Sequence, residues 1–125
     1  MTYSVYVVDD KQVIADTLAA ILNASGYDAK AFYDAESVLS ACETDCPTCI
    51  ISDVAMYAIS GIEMAMQITR RYPACKVLLF SGQATTEAIV ESAKRNGYEF
   101  EVMQKPVHPT ELLAKLNLTF HPHCA

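Results

Sequence analysis

The stretch ACETDCPTCIISDVAM, Ala41 to Met56, supports two opposed readings. Its first half spaces Cys42, Cys46 and Cys49 as C-x3-C-x2-C, a pattern that suggests a metal or iron–sulfur cluster. Its second half, Cys49-Ile50-Ile51-Ser52-Asp53, is a short apolar run with adjacent β-branched residues that ends on a carboxylate. That is the pattern of a buried strand. On the second reading Cys49 opens the strand and points into a core, and Cys42 closes a helix. The thiols are then small hydrophobes, as free cysteines often are.

The rest of the chain chooses between them. Val5-Tyr6-Val7-Val8 is a similar run and ends at Asp9-Asp10. Ile14, Leu18, Ile21 and Leu22 then recur at helical spacing, and Gly26 stands where a helix would stop. A second strand is predicted over Ala29 to Tyr33, followed by Asp34 as the N-cap of a helix carrying Val38, Leu39 and Cys42. After the quoted stretch, Ser60-Gly61-Ile62-Glu63 is a capping-box pattern opening a helix with Ile62, Ala65, Met66 and Thr69 on one face. Lys76 to Phe80 is the fourth run. A helix over roughly Thr85 to Arg95 follows, stopped by Gly97. Phe100 to Met103 is a weaker fifth strand. Pro109 at a first helical position begins a last helix that turns Leu112, Leu113 and Leu116 inward.

Strand and helix alternate five times. Continuous apolar strands between amphipathic helices predict an α/β fold, a doubly wound five-stranded parallel sheet flanked by five helices. The chain's 125 residues predict one domain, 52% hydrophobic and 19% charged. The domain is expected over residues 1–120, with 121–125 a frayed tail. A formal net charge of −6 argues against direct binding to nucleic acid or to an anionic membrane surface. No apolar run approaches the ~18 residues of a membrane span. The N-terminus has no basic stretch leading into an apolar one. With five cysteines and no export signal, a cytoplasmic protein with free thiols is expected.

In an open α/β sheet, sites form beyond the carboxyl ends of the strands. The first strand ends in Asp9 and Asp10, the third in Asp53, the fourth in Ser81-Gly82, and the fifth leads to Lys105-Pro106. All are expected on one edge. Two unit charges 4 Å apart repel by about 4 kcal/mol at an effective dielectric near 20. Clustered carboxylates relieve this by raising a pKa or by binding a cation. Oxygen ligands without a full cage suit Mg2+. A carboxylate can also act as a nucleophile toward phosphorus, with a hydroxyl and an ammonium to meet the phosphoryl oxygens.

These residues resemble the receiver domain of two-component response regulators, over nearly the whole chain. The matching pieces are Val7-Val8-Asp9-Asp10, Ser52-Asp53-Val54-Ala55-Met56 with Gly61 downstream, Phe80-Ser81-Gly82 and Lys105-Pro106, in order and each at a strand end. The resemblance implies strand order 2-1-3-4-5 and a CheY-like single domain. It implies Asp53 as phosphoacceptor, fed from the phosphohistidine of a histidine kinase or histidine phosphotransfer protein. It implies Asp9, Asp10, Asp53 and the Ala55 carbonyl as Mg2+ ligands, Ser81 as switch hydroxyl and Lys105 as the phosphate's partner. It also implies a docking surface for a downstream protein near the last two helices and fifth strand. With no output domain in the chain, the protein is expected to dock, to relay phosphate, or to be part of a longer protein.

The sequence departs from the family's pattern at three places. Tyr57 stands where proline is usual, and Ser60 where aspartate usually precedes the glycine. Val102, three before Lys105, stands where an aromatic ring usually reports the switch, and the irregular Tyr98 to Glu101 segment leaves the register open there. These departures motivate an alternative, a pseudo-receiver that binds partners without phosphorylation. A second alternative is a metal- or redox-responsive protein using Cys42, Cys46 and Cys49. The same cysteine spacing occurs in radical enzymes using S-adenosylmethionine, but the chain is too short for their barrel.

Overall fold

The structure, a computed structural model, describes residues 3–54, 61–82, 91, 93–98, 100–105 and 108–120. The elements run β1 (Ser4–Val8), α1 (Gln12–Ala24), β2 (Asp28–Phe32), α2 (Ala35–Thr44), β3 (Cys49–Asp53), α3 (Gly61–Arg71), β4 (Lys76–Ser81), β5 (Glu101–Gln104) and α4 (Pro109–Phe120). Residues 91 and 93–95, between β4 and β5, are helical. Most of the helix expected over Thr85 to Arg95 lies outside the described residues, as do Ala55, Tyr57, Ser60, Pro106 and the tail.

The five strands form one sheet in the order β2-β1-β3-β4-β5, every pair parallel. The order puts β3 near the middle, and all five of its residues are buried. Successive side chains of a strand face opposite sides, so the sheet builds two cores. On one face, Val5, Val7, Cys49, Ile51, Leu78 and Phe80 pack under α1 and α4 through Leu18, Leu22, Leu112 and Leu116. On the other, Tyr6, Val8 and Ile50 meet Val38 and Cys42 of α2 and Met64 and Ile68 of α3. Burying a side chain of Leu or Ile size stabilises by roughly 1.5–3 kcal/mol. The continuous apolar strands of the sequence are the trace of this two-sided covering.

Local signals place the helices. Asp34 caps α2, its carboxylate accepting the Ser37 N–H at 2.7 Å. Gly26 and Gly97 take φ of 96° and 85°, left-handed conformations that suit glycine after a helix. Asn23 adds a tie that residue patterning does not reveal: its amide donates to the Ala29 carbonyl at 3.0 Å and accepts the Ala29 N–H at 2.8 Å. This holds the start of β2 to the end of α1.

The fifth strand begins one residue later than expected. Ladder pairing sets Leu79 opposite Val102 and Ser81 opposite Gln104, and the Lys105 N–H continues the ladder to the Ser81 carbonyl at 2.9 Å. Val102 is therefore three residues before Lys105 in space as well as in sequence. Phe100 lies just before the strand, in the same small cluster as Val102, Val54, Ala65 and Leu79, with its ring stacked on Tyr98 at 5.9 Å between centroids.

Candidate functional site

Parallel strands all end on one edge, and there the chain collects its charged groups. The last residue of β3, Asp53, is only 4% exposed. Asp9, directly after β1, is 0% exposed, while its neighbour Asp10 is exposed. The three carboxylates can each bring an oxygen within 4.8 Å of the others. Lys105, after β5, reaches across with its Nζ 2.9 Å from Asp53 Oδ2. The same ammonium lies 5.4 Å from the centroid of the Phe80 ring, which gives it an apolar, weakly attractive floor.

Asp9 is not the cap of α1. The N-cap residue is Lys11, which offers no side-chain cap. One oxygen of Asp9, Oδ1, accepts the Lys11 N–H at 2.9 Å. The other, Oδ2, is buried with no hydrogen-bond partner among the described residues. Burial pushes the Asp9 carboxyl above the usual carboxylate range; the Lys11 N–H opposes this, nearby Asp53 adds to it, and Lys105 opposes it. An acceptor-only oxygen, buried beside two further carboxylates and one lysine, suits a hard cation with oxygen ligands. The donor set thus fits a divalent cation on its own chemistry.

The phosphoacceptor candidate is held rigidly. Val54 N–H donates to the Phe80 carbonyl at 3.0 Å, and Gly61 N–H returns to the Val54 carbonyl at 2.8 Å. Gly61 opens α3 so close to β3 that a Cβ there would lie 2.0 Å from the Asp53 carbonyl oxygen. Only glycine fits this approach. The sequence signalled Gly61 as part of a helix start, but the close passage under Asp53 depends on tertiary packing. Ser81, 2% exposed at the end of β4, donates its hydroxyl to the Gly82 carbonyl at 3.0 Å. So the structure brings Asp9, Asp10, Asp53 and Lys105 into one pocket, with Ser81 on the neighbouring strand end. Beside Lys105, a groove of about 560 Å³ runs along α1, lined by Lys11, Val13, Ile14, Thr17 and Pro109 among others.

The three cysteines of the opening stretch do not converge. Cys42 and Cys49 lie on opposite faces of the sheet, in different cores. Burial pushes both thiols up to about 12. The site is therefore the acidic edge: a cation-type carboxylate pocket around a buried, lysine-paired aspartate in a doubly wound sheet.

Similarity to known proteins gives the family. The chain matches the response regulator receiver domain over residues 5–117 and belongs to that family. It is 30% identical over 115 residues to the nitrogen assimilation regulatory protein NtrX of Azorhizobium caulinodans, covering 90% of this chain and 25% of that protein. It is 28% identical to the transcriptional regulatory protein FixJ of Bradyrhizobium diazoefficiens, covering 90% of this chain and 54% of that protein. The chain thus spans about a quarter to a half of these relatives. In fold it is similar to a CheY-like receiver domain protein from Methanospirillum hungatei, with a TM-score of 0.87 at 24% identity over 98% of this chain and 96% of that one. Among the described residues no helix is long and apolar enough to cross a membrane.

Proposed function

We propose that this receiver domain accepts a phosphoryl group on Asp53 from a phosphohistidine of a histidine kinase or histidine phosphotransfer protein. The observation that carries the proposal is the buried Asp53 carboxylate, 2.9 Å from Lys105 and within a shared pocket of acidic oxygens. Asp9, Asp10 and Asp53, with the Ala55 carbonyl, would hold Mg2+. Bound there, the ion supplies positive charge to the phosphoryl oxygens and offsets the repulsion among the carboxylates.

The chain's own groups do the rest. An Asp53 oxygen attacks phosphorus, the O–P bond forms, and the P–N bond to the donor imidazole breaks. Lys105 meets a phosphoryl oxygen once Asp53 gives up charge to the new bond. The Ser81 hydroxyl exchanges its Gly82 carbonyl partner for another phosphoryl oxygen. That exchange ties the end of β4 to the modification and biases the surface of β5 and the last two helices. Val102 has no ring to swing, so the readout passes through Ser81 and the packing of Phe100. The apolar groove along α1, with Val13 78% exposed beside it, suits the donor protein. The domain acts as a phosphoryl acceptor for signalling rather than as an enzyme on a separate substrate, and it contacts a downstream protein rather than nucleic acid or membrane. The domain works in the reducing cytoplasm, where its cysteines stay free thiols.

The test is the intact mass of the chain after incubation with acetyl phosphate and Mg2+. One phosphoryl adduct is expected, absent with EDTA and absent from Asp53→Asn. An adduct of equal yield on Asp53→Asn would refute the assignment. No adduct on the parent would favour a binding module that works without phosphorylation.

A further inference from the structure

Lys105 and Asp53 stand at the ends of strands that are not neighbours. Strand β4 lies between β3 and β5. The Lys105 side chain therefore crosses the end of β4 to reach Asp53, over two strand spacings of about 4.8 Å each. It crosses at Phe80. The ammonium lies over the Phe80 ring, 5.4 Å from its centroid, while Nζ sits 2.9 Å from Asp53 Oδ2. Ladder register sets Phe80 directly beside Asp53. The Phe80 carbonyl accepts the Val54 N–H at 3.0 Å, and Ser81 follows it in the chain. The ring is fixed, 2% exposed in the core with Ile51, Leu78 and Leu112. Lys105 is the freer partner, with a side chain 30% exposed and a flexible four-carbon stem.

We propose that Phe80 is a positioning residue for phosphoryl transfer, its ring face holding the Lys105 ammonium over the end of β4 and aimed at the reacting carboxylate. This rests on the reading of Asp53 as phosphoacceptor and adds a residue to it. The face of an aromatic ring is its negative side and attracts a cation. Before transfer, the ammonium is held by two groups, the ring and the Asp53 oxygen. During transfer Asp53 gives up charge to the new O–P bond, so its hold on Lys105 weakens. The ring is chemically unchanged, and it keeps the ammonium in place until a phosphoryl oxygen takes over. A leucine at this position would also fill the core, but it would offer the ammonium no attracting face.

The experiment labels the full chain with acetyl phosphate and Mg2+ and reads the rate by single-turnover mass spectrometry. Phe80→Leu should slow labelling about tenfold, the scale of a largely desolvated cation–π contact. In a Lys105→Ala chain, Phe80→Leu should cost no further rate, because the ring acts through the ammonium. A chain with trifluorophenylalanine in place of Phe80 keeps the shape but loses the negative ring face, and it should be slowed as well. Equal slowing by Phe80→Leu with and without Lys105 would make Phe80 a core residue only and overturn the proposal. So would a trifluorinated chain that labels at the parental rate.

NMR of the unphosphorylated chain gives a second readout. Ring current should shift the Lys105 ε-methylene protons upfield in the parent, and Phe80→Leu should move them back downfield. Identical signals in the two chains would also overturn the proposal. This comparison needs no phosphoryl group. A parent that takes no label on Asp53 therefore sinks the acceptor reading, while the Lys105 signals still decide whether the ring holds the ammonium.

Discussion

The two ends of β3 are almost equally hidden from water, Cys49 at 0% and Asp53 at 4% exposure, yet burial does opposite things for them. Cys49 meets Val5, Ile51 and Leu78 in an apolar core, where burial stabilises the fold. Asp53 meets Lys105 and two other aspartates, where burial of charge stabilises only as far as the partners compensate. Asp9 makes the contrast sharper, because one of its buried oxygens has no hydrogen-bond partner among the described residues. One end of the strand holds the fold together, and the other holds charges that the fold alone does not favour. Substitutions at the two ends should therefore separate stability from phosphoryl transfer.

The largest effect is expected at the pair that defines the acidic end. Lys105→Ala should slow labelling of Asp53 by acetyl phosphate by about 10²–10³-fold, the scale of losing one preorganised donor to a transition-state oxygen. Single-turnover mass spectrometry reads it, and a rate within threefold of the parent would break the assigned role. Next is Gly61→Ala, where a new Cβ meets the Asp53 carbonyl at 2.0 Å. Backbone displacement should cost about 1–3 kcal/mol in denaturant unfolding and also slow labelling. Preserved stability would mean that β3 and α3 sit further apart than the structure has them.

At the apolar end, Cys49→Ala should cost about 1 kcal/mol of stability and leave the labelling rate unchanged. A loss of labelling in a stably folded Cys49→Ala would show that the two ends are coupled. The smallest effect has the opposite sign. Asp9→Asn should raise the stability of the Mg2+-free protein by about 1 kcal/mol at neutral pH, while abolishing the rise in melting temperature on adding Mg2+. The sign follows from Asp9's carboxyl, which burial raises above its unfolded value. A raised carboxyl contributes stability that is fully present below the unfolded pKa, near 3.9, and is lost as pH rises through the folded pKa. In EDTA the parent should therefore fall below Asp9→Asn as pH rises from about 4, and the two should converge in acid. Parallel melting curves across that range would contradict the buried, unsatisfied carboxylate.

Much of this contrast was legible in the residues. The runs Val5–Val8 and Cys49–Asp53 predict buried strands, and the helical spacing of Ile14, Leu18, Ile21 and Leu22 predicts α1. The strands hold because burial on two faces demands continuous apolar sequence, and α1 holds because one buried face recurs at the helical period. Asp34 and Gly26 act as the cap and stop that their chemistry implies. Asp9, Asp10, Asp53 and Lys105 were expected on one edge because parallel strands must all end there, and they do converge. The start of β5 was misplaced by one residue, since Tyr98 and Phe100 look as strand-like as Val102 and only ladder pairing distinguishes them. The cysteines misled for a related reason. Spacing along the chain brought Cys49 near Cys42, but alternation along a strand sends it through the sheet to the other core.

Read alone, the residues carry the alternation of strands and helices and the kinds of group at each strand end. These depend on local preference and on hydrophobic period, which are written residue by residue. Only the tertiary structure decided which groups meet. It set the 2.9 Å reach of Lys105 to Asp53, the passage of Gly61 under the Asp53 carbonyl and the burial of an Asp9 oxygen with no hydrogen-bond partner among the described residues. Each depends on strand order and on the face a side chain takes, which are fixed when distant segments pack together.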